Sequence, residues 1–239
     1  MTGSPAIDAS LRPMRLAKAR AGLGRATHWY HRLVHRQRLE GPTVERVLDR
    51  SIVVLPGVLN PKLMRTGAYF ATELAREPLI EGAEVLDMGT GSGICALIAA
   101  RRARRVVAVD LSLTAVRCAK INVLLNGLEH KVEVRHGDLF EPVRGCRFDL
   151  ILFNPPFLRG EPRSDADRAW RSRDVPERFA AGLREHLAPG GSALLLLSTF
   201  GAAGVFLEEL ARCELEVAAR SQRAYVNERL SLLRVTAGP

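Results

Sequence analysis

The chain has 239 residues, 47% hydrophobic and 26% charged, which fits one soluble α/β domain with an appendage. No apolar run approaches the ~18 residues of a membrane span, and Cys95, Cys118, Cys146 and Cys213 stand singly, without metal-ligand or disulfide spacing. A cytoplasmic protein with no resident metal and no membrane partner is expected. The net charge of +9 is uneven: Arg12, Arg15, Lys18, Arg20, Arg25, Arg32, Arg36 and Arg38 face only Asp8 and Glu40, so +6 of it falls in the first forty residues.

Residues 10–39 have helix-favouring composition broken by Gly22 and Gly24, which predicts one interrupted helix or two short ones. Cations mixed with Trp29 and Tyr30 can grip single-stranded RNA, so residues 12–38 are a candidate RNA contact. Ile52–Leu55 reads as a short strand stopped by Pro56-Gly57, and Met64–Arg76 as a helix ended by Pro78. From Val85 onward, apolar runs alternate with helical stretches. The runs are Val85–Asp87, Val106–Asp110, Val132–Val134, Phe148–Phe153 and Ala193–Leu197. The helical stretches between and after them are Ile94–Arg101, Leu113–Asn126, Val175–Leu187 and Val205–Arg212. Such alternation means right-handed crossovers and a mostly parallel, doubly wound sheet. Leu215–Ala219 and Leu230–Val235 follow with no helix between them, so they must pair antiparallel as a closing hairpin. Three regions result: a basic helical extension (1–50), a connecting segment (51–80) and the domain of alternating strands and helices (81–239).

The first run leads into Asp87-Met88-Gly89-Thr90-Gly91-Ser92-Gly93. Glycines let a loop turn sharply and bring a ligand against the main chain. The spacing G-x-G-x-G, with an acid two residues ahead, differs from the dinucleotide pattern G-x-G-x-x-G. An acid there repels a pyrophosphate and suits a cationic amine. Asp110 ends the next strand, where a carboxylate can take two ribose hydroxyls, and Asp138 follows the third strand, where an adenine edge can be met.

The fourth strand runs into Asn154-Pro155-Pro156-Phe157. Two prolines remove two backbone donors and leave carbonyl acceptors free. Asn154 adds an amide oxygen and Phe157 a flat π-face. An amide or exocyclic amine can donate to the acceptors while held over the ring, so catalysis becomes orientation of a weak nucleophile. After Leu187, Ala188-Pro189-Gly190-Gly191 reads as the turn from helix into strand. The Arg- and Asp-rich segment 158–174, with Trp170, is positioned as a lid over the acceptor.

These landmarks resemble the class I S-adenosylmethionine-dependent methyltransferases over roughly residues 80–236. The resemblance implies a Rossmann-like seven-stranded sheet of order 3-2-1-4-5-7-6 and S-adenosylmethionine as cofactor. It assigns Asp87, Gly89, Thr90, Gly91 and Gly93 to the amino-acid loop, Asp110 with Leu111 to the ribose, and Asp138 with Leu139 to the adenine. The Asn-Pro-Pro-Phe motif is similar to that of the amino-methyltransferase branch, which implies Asn154, Pro155 and Phe157 as catalytic residues, with Asn154 also beside the cofactor. Within that branch Phe is frequent among RNA guanine enzymes and Tyr among glutamine and DNA enzymes. In related small-domain enzymes the stretch matching residues 56–70 covers the cofactor, so Thr66, Tyr69, Phe70 and, in the lid, Trp170 are substrate-pocket candidates. The implied acceptor is a protein glutamine or an RNA base. A small-molecule acceptor, the donor attacked by its own amine, and a non-catalytic scaffold are the alternatives, and the oligomeric state is left open.

Overall fold

The computed structural model describes residues 41–162, 165–199, 201–226 and 228–238, so the basic stretch and its candidate RNA contact at 12–38 lie outside the described residues. The described chain opens with a hairpin of β1 (Thr43–Val47) and β2 (Arg50–Val54), followed by α1 (Arg65–Leu74). The alternating part is β3 (Glu84–Met88), α2 (Ile94–Ala99), β4 (Arg105–Asp110), α3 (Leu113–Leu125), β5 (Val132–His136) and β6 (Phe148–Phe153). Two short strands, β7 (Leu158–Arg159) and β8 (Arg171–Ser172), flank the one-turn α4 (Asp165–Arg168). Then come α5 (Val175–His186), β9 (Leu187–Ser198), α6 (Ala203–Arg212), β10 (Glu216–Ala224) and β11 (Arg229–Thr236).

Seven strands form one sheet in the order β5-β4-β3-β6-β9-β11-β10. Counted from β3, this is the expected 3-2-1-4-5-7-6. Neighbours from β5 to β9 are parallel, and β11 is antiparallel to both β9 and β10. Strand order reverses between β3 and β6, so their carboxyl ends open the crevice where doubly wound sheets bind ligands. Alternation along β6 divides the core: Leu150 and Leu152 pack toward α1 and α2 with Phe70, Leu74 and Leu97. Ile151 and Phe153 pack toward α5 and α6 with Phe179, Leu183 and Phe206. Each such fully buried side chain stabilises the fold by about 1.5–3 kcal/mol, so the sheet is fixed from both faces.

Three differences from the sequence reading have local causes. The strand read at Ile52–Leu55 pairs with β1, which the sequence hides because the connecting turn has Leu48 at φ 54° where glycine would have announced it. This hairpin joins residues on both sides of position 50. The Ala188–Gly191 turn is absorbed into β9, because α5 ends at His186 with no intervening loop. Phe148 pairs with Leu187 and Leu150 with Ser192, so the glycine pair bulges out of a strand that has already begun. The segment 158–174, read as a loop, carries regular structure among its described residues: β7 and β8 pair parallel, and Arg159 bonds Glu177 at 2.7 Å.

Among the described residues no helix is long and apolar enough to cross a membrane, and no cluster of His, Cys, Asp or Glu is placed to hold a metal ion.

Candidate active site

The glycine loop is fastened at both ends by carboxylates. Asp87, at 3% exposure, accepts from the Thr90 hydroxyl at 2.6 Å and from the Ala96 N–H at 3.0 Å, both through Oδ2. It thereby ties β3 to the loop and to the first turn of α2, where unpaired N–H groups favour an acceptor. Gly93 adopts φ 82°, and a Cβ there would stand 3.2 Å from Ala119 on α3, so both conformation and packing require glycine. Asp110 accepts from the Gly91 N–H through Oδ2 and from the Ser112 N–H through Oδ1, each at 2.9 Å. Both acids therefore shape the loop as well as face the cavity.

Burial pushes the Asp87 carboxyl from 3.8 up to about 7; the Thr90 and Ala96 hydrogen bonds hold it down and the Asp110 charge adds to the rise. Asp138 follows β5, where its Oδ2 accepts from Arg178 Nη2 on α5 at 2.7 Å. Burial works against the Arg178 charge, but the bond to Asp138, with help from Asp174, raises its pKa.

These groups line a cavity of about 330 Å³ at the carboxyl ends of β3, β4 and β6. Asp87, Gly89, Thr90 and Gly91 line it on one side. Asp110, Leu111, Asp138 and Leu139 continue the wall. Thr66 and Phe70 close it from α1, and Asn154 with Pro156 from the end of β6. The side-chain oxygen of Asn154 is buried and has no hydrogen-bond partner. An unmatched buried amide oxygen costs about 1–3 kcal/mol, so a donor brought into the cavity finds a group already stripped of water.

Other expected residues fall outside the lining. Gly93 packs on α3, and Pro155 is buried. Phe157 is 8% exposed and does not line the cavity; its carbonyl accepts from the Ala202 N–H at 2.8 Å, and a Cβ at Gly201 would lie 2.8 Å from its own. Tyr69 is buried and bonded to the Ser221 hydroxyl at 2.7 Å. Trp170 does not line the cavity either, though its neighbours Ala169 and Arg171 do.

The sequence reading missed Arg178, because an arginine on an amphipathic helix carries no signal of the carboxylate it meets 40 residues away. It also missed the strut of the cover. Asn60, 2% exposed, donates to Glu45 Oε1 at 2.9 Å and accepts from the Lys62 N–H at 3.0 Å. This holds Val58, Leu59 and Pro61 against the cavity.

Residues 50–227 match the methyltransferase small domain family. The chain belongs to that family. It shares the fold of the S-adenosylmethionine-dependent methyltransferases of class I. As a methyltransferase small domain it is 33% identical over 150 residues to the ribosomal RNA small subunit methyltransferase C of Alcanivorax borkumensis, an alignment covering 62% of this chain and 43% of that protein. It is 34% identical over 190 residues to a release factor glutamine methyltransferase of Xylella fastidiosa, covering 71% of this chain and 68% of that one. Among solved structures, the 16S rRNA N2 methyltransferase of T. thermophilus, in complex with AdoMet and guanosine, superposes with a TM-score of 0.56 at 25% identity. That superposition covers 80% of this chain and 49% of the other. The small domain thus spans less than half of the first relative and about two thirds of the second.

Proposed function

We propose that the chain is an S-adenosylmethionine-dependent N-methyltransferase that presents a planar amide or amine nitrogen of a macromolecule, a protein glutamine or an RNA base, to the methyl donor. The observation that carries this is the buried, unpartnered Asn154 oxygen at the end of β6. The donor fits the rest of the cavity by its chemistry. Asp87 and the Gly89–Gly93 loop suit its cationic amine, Asp110 its ribose hydroxyls and Asp138 with Leu139 its adenine. When bound, the donor supplies an electrophilic methyl group on a sulfonium.

The protein's own groups do the positioning. Asn154 Oδ1 accepts one N–H of the acceptor, which fixes the nitrogen and aims its lone pair. Pro155 and Pro156 have no N–H to compete for that oxygen, and their fixed φ keeps the strand end rigid. Pro156 lines the cavity directly, while buried Phe157 anchors the motif through its carbonyl to Ala202. Positive charge developing on the acceptor nitrogen is met by the same amide oxygen, in a cavity whose walls carry the Asp87 and Asp110 carboxylates.

The test is Asn154→Ala. Donor binding by calorimetry is expected to persist, while methyl transfer from labelled donor into fractionated lysate falls by about 100-fold or more. Unchanged transfer refutes the role of Asn154. An enzyme-only control that consumes donor at the same rate refutes a foreign acceptor.

A further inference from the structure

One end of the cavity is built from two turns that meet at the edge of the sheet. β5 is the outermost strand on this side, paired to β4 with His136 opposite Asp110. Beyond that pair the two chains leave the sheet as Asp110-Leu111-Ser112 and Gly137-Asp138-Leu139, and all six residues line the cavity. The second turn is strained. Gly137 has φ 153°, where a Cβ would stand 2.3 Å from Pro142 Cγ, and Leu139 has φ 48°, in the left-handed region that disfavours any residue with a side chain. Such a conformation persists where its surroundings over-determine it. Two hydrogen bonds between the turns do this: the Gly137 N–H donates to the Asp110 carbonyl at 3.0 Å, and His136 Nε2 lies 2.9 Å from the Leu111 carbonyl oxygen. A carbonyl oxygen only accepts, so that ring nitrogen carries a proton, and both the neutral Nε2–H tautomer and the imidazolium make the bond. His136 itself is exposed and does not line the cavity.

We infer that His136 is a positioning residue for the nucleoside half of S-adenosylmethionine: by holding the Leu111 carbonyl it locks the turn that meets the ribose against the turn that meets the adenine. The inference rests on the placement of the ribose at Asp110 and the adenine at Asp138 with Leu139. Asp110 is already fixed toward the glycine loop by its bonds to the Gly91 and Ser112 N–H groups. His136 adds the spacing between that carboxylate and Asp138, which grip opposite ends of one nucleoside. Two turns held at the bound spacing lose little freedom when the ligand arrives. Without the imidazole the register of the turns rests on the Gly137–Asp110 bond, and Leu139 is released to relax from its left-handed conformation. Asp87, which suits the amine of the donor, ends β3, two strands away from β5, so the effect falls on the nucleoside.

The experiment measures binding of adenosine and of S-adenosylmethionine to the full chain by calorimetry, with thermal unfolding alongside. His136→Ala is expected to weaken both ligands by the same factor, about three- to tenfold, the range that one hydrogen bond supplies. Its thermal midpoint stays nearly unchanged, because the side chain is exposed. His136→Gln, whose Nε2 can donate to the same carbonyl, recovers most of the affinity for both ligands. Unaltered adenosine affinity in His136→Ala overturns the inference. A loss confined to S-adenosylmethionine overturns it as well, since the effect then lies at the amino-acid half. So does a loss that comes with a lowered midpoint and is not recovered by glutamine, which marks a merely structural role. Asp110→Asn, measured in the same way, checks the placement beneath. Adenosine binding that survives Asp110→Asn refutes the ribose assignment and the inference with it. Adenosine binding weakened by Asp110→Asn but not by His136→Ala sinks the positioning role alone.

Discussion

Replacing Asp87 with asparagine removes a carboxyl whose titration is written into the stability of the domain. The rise from 3.8 to about 7 means that the folded state holds this proton more tightly than the unfolded chain. The stabilising effect of the proton is therefore complete below the unfolded value and is lost as pH climbs through the folded one. At about 1.36 kcal/mol per pH unit the full loss is about 4 kcal/mol, of which about 2–3 kcal/mol falls between about pH 5 and pH 8. Asparagine keeps an oxygen for the Thr90 and Ala96 donors and has nothing to titrate. Urea unfolding of both proteins across that range, without donor, should therefore show the variant gaining on the unmodified protein as pH rises, by about that 2–3 kcal/mol. A gap that stays constant with pH refutes the assignment of a raised carboxyl to Asp87. Binding of a cationic amine favours the charged carboxylate, so donor binding below about pH 7 should release a proton, read by calorimetry in buffers of differing ionisation enthalpy.

Asn60→Ala takes from nearly buried Glu45 its amide partner and leaves Lys62 3.8 Å away, so thermal unfolding should show a loss of about 1–3 kcal/mol. Weaker donor binding should accompany it, and unchanged donor affinity means the cover does not shape the cavity. Arg178→Ala should barely move the thermal midpoint, because a half-exposed ion pair is worth about 0–1 kcal/mol, yet it should weaken adenosine binding several-fold by releasing Asp138. Equal adenosine affinity in variant and unmodified protein removes Arg178 from the positioning of that end of the donor.

The parts of this molecule legible in the sequence are those fixed by local pattern. Strand ends at Asp110 and Phe153 follow from apolar runs meeting polar turns, and the sheet order follows from the family resemblance that the glycine loop and the Asn-Pro-Pro-Phe motif carry. What was hidden depends on partners far along the chain. β1 carries Glu45 and Arg46 within five residues and becomes a strand through its pairing with β2. The buried position of Phe157 depends on Gly201, where a Cβ would approach its carbonyl oxygen to 2.1 Å. A motif read as presenting an aromatic face cannot report that its backbone is held by a loop 44 residues on. Tyr69 is similar: it reads as a pocket candidate, and its hydroxyl instead meets Ser221 because β10 arrives there.

The same long-range wiring explains why one hairpin outside the sheet bears on the cavity within it. Val53 of β2 is held at both backbone groups by Asn122 of α3, whose amide also donates to the Ser92 carbonyl in the glycine loop at 2.8 Å. Asn122 is wholly buried, so all these bonds are made in a medium where breaking one leaves an unmatched polar group. From β1, Glu45 reaches Asn60 and so fixes the cover. One side of the cavity, the glycine loop, and the opposite side, the cover, are thus connected through two adjacent strands whose register is set by a single turn. A shift in that turn moves both, and the shared hydrophobic cluster of Ile52, Val54, Val58 and Ile94 carries the same connection. The hairpin belongs mechanically to the binding cavity even though none of its residues lines it.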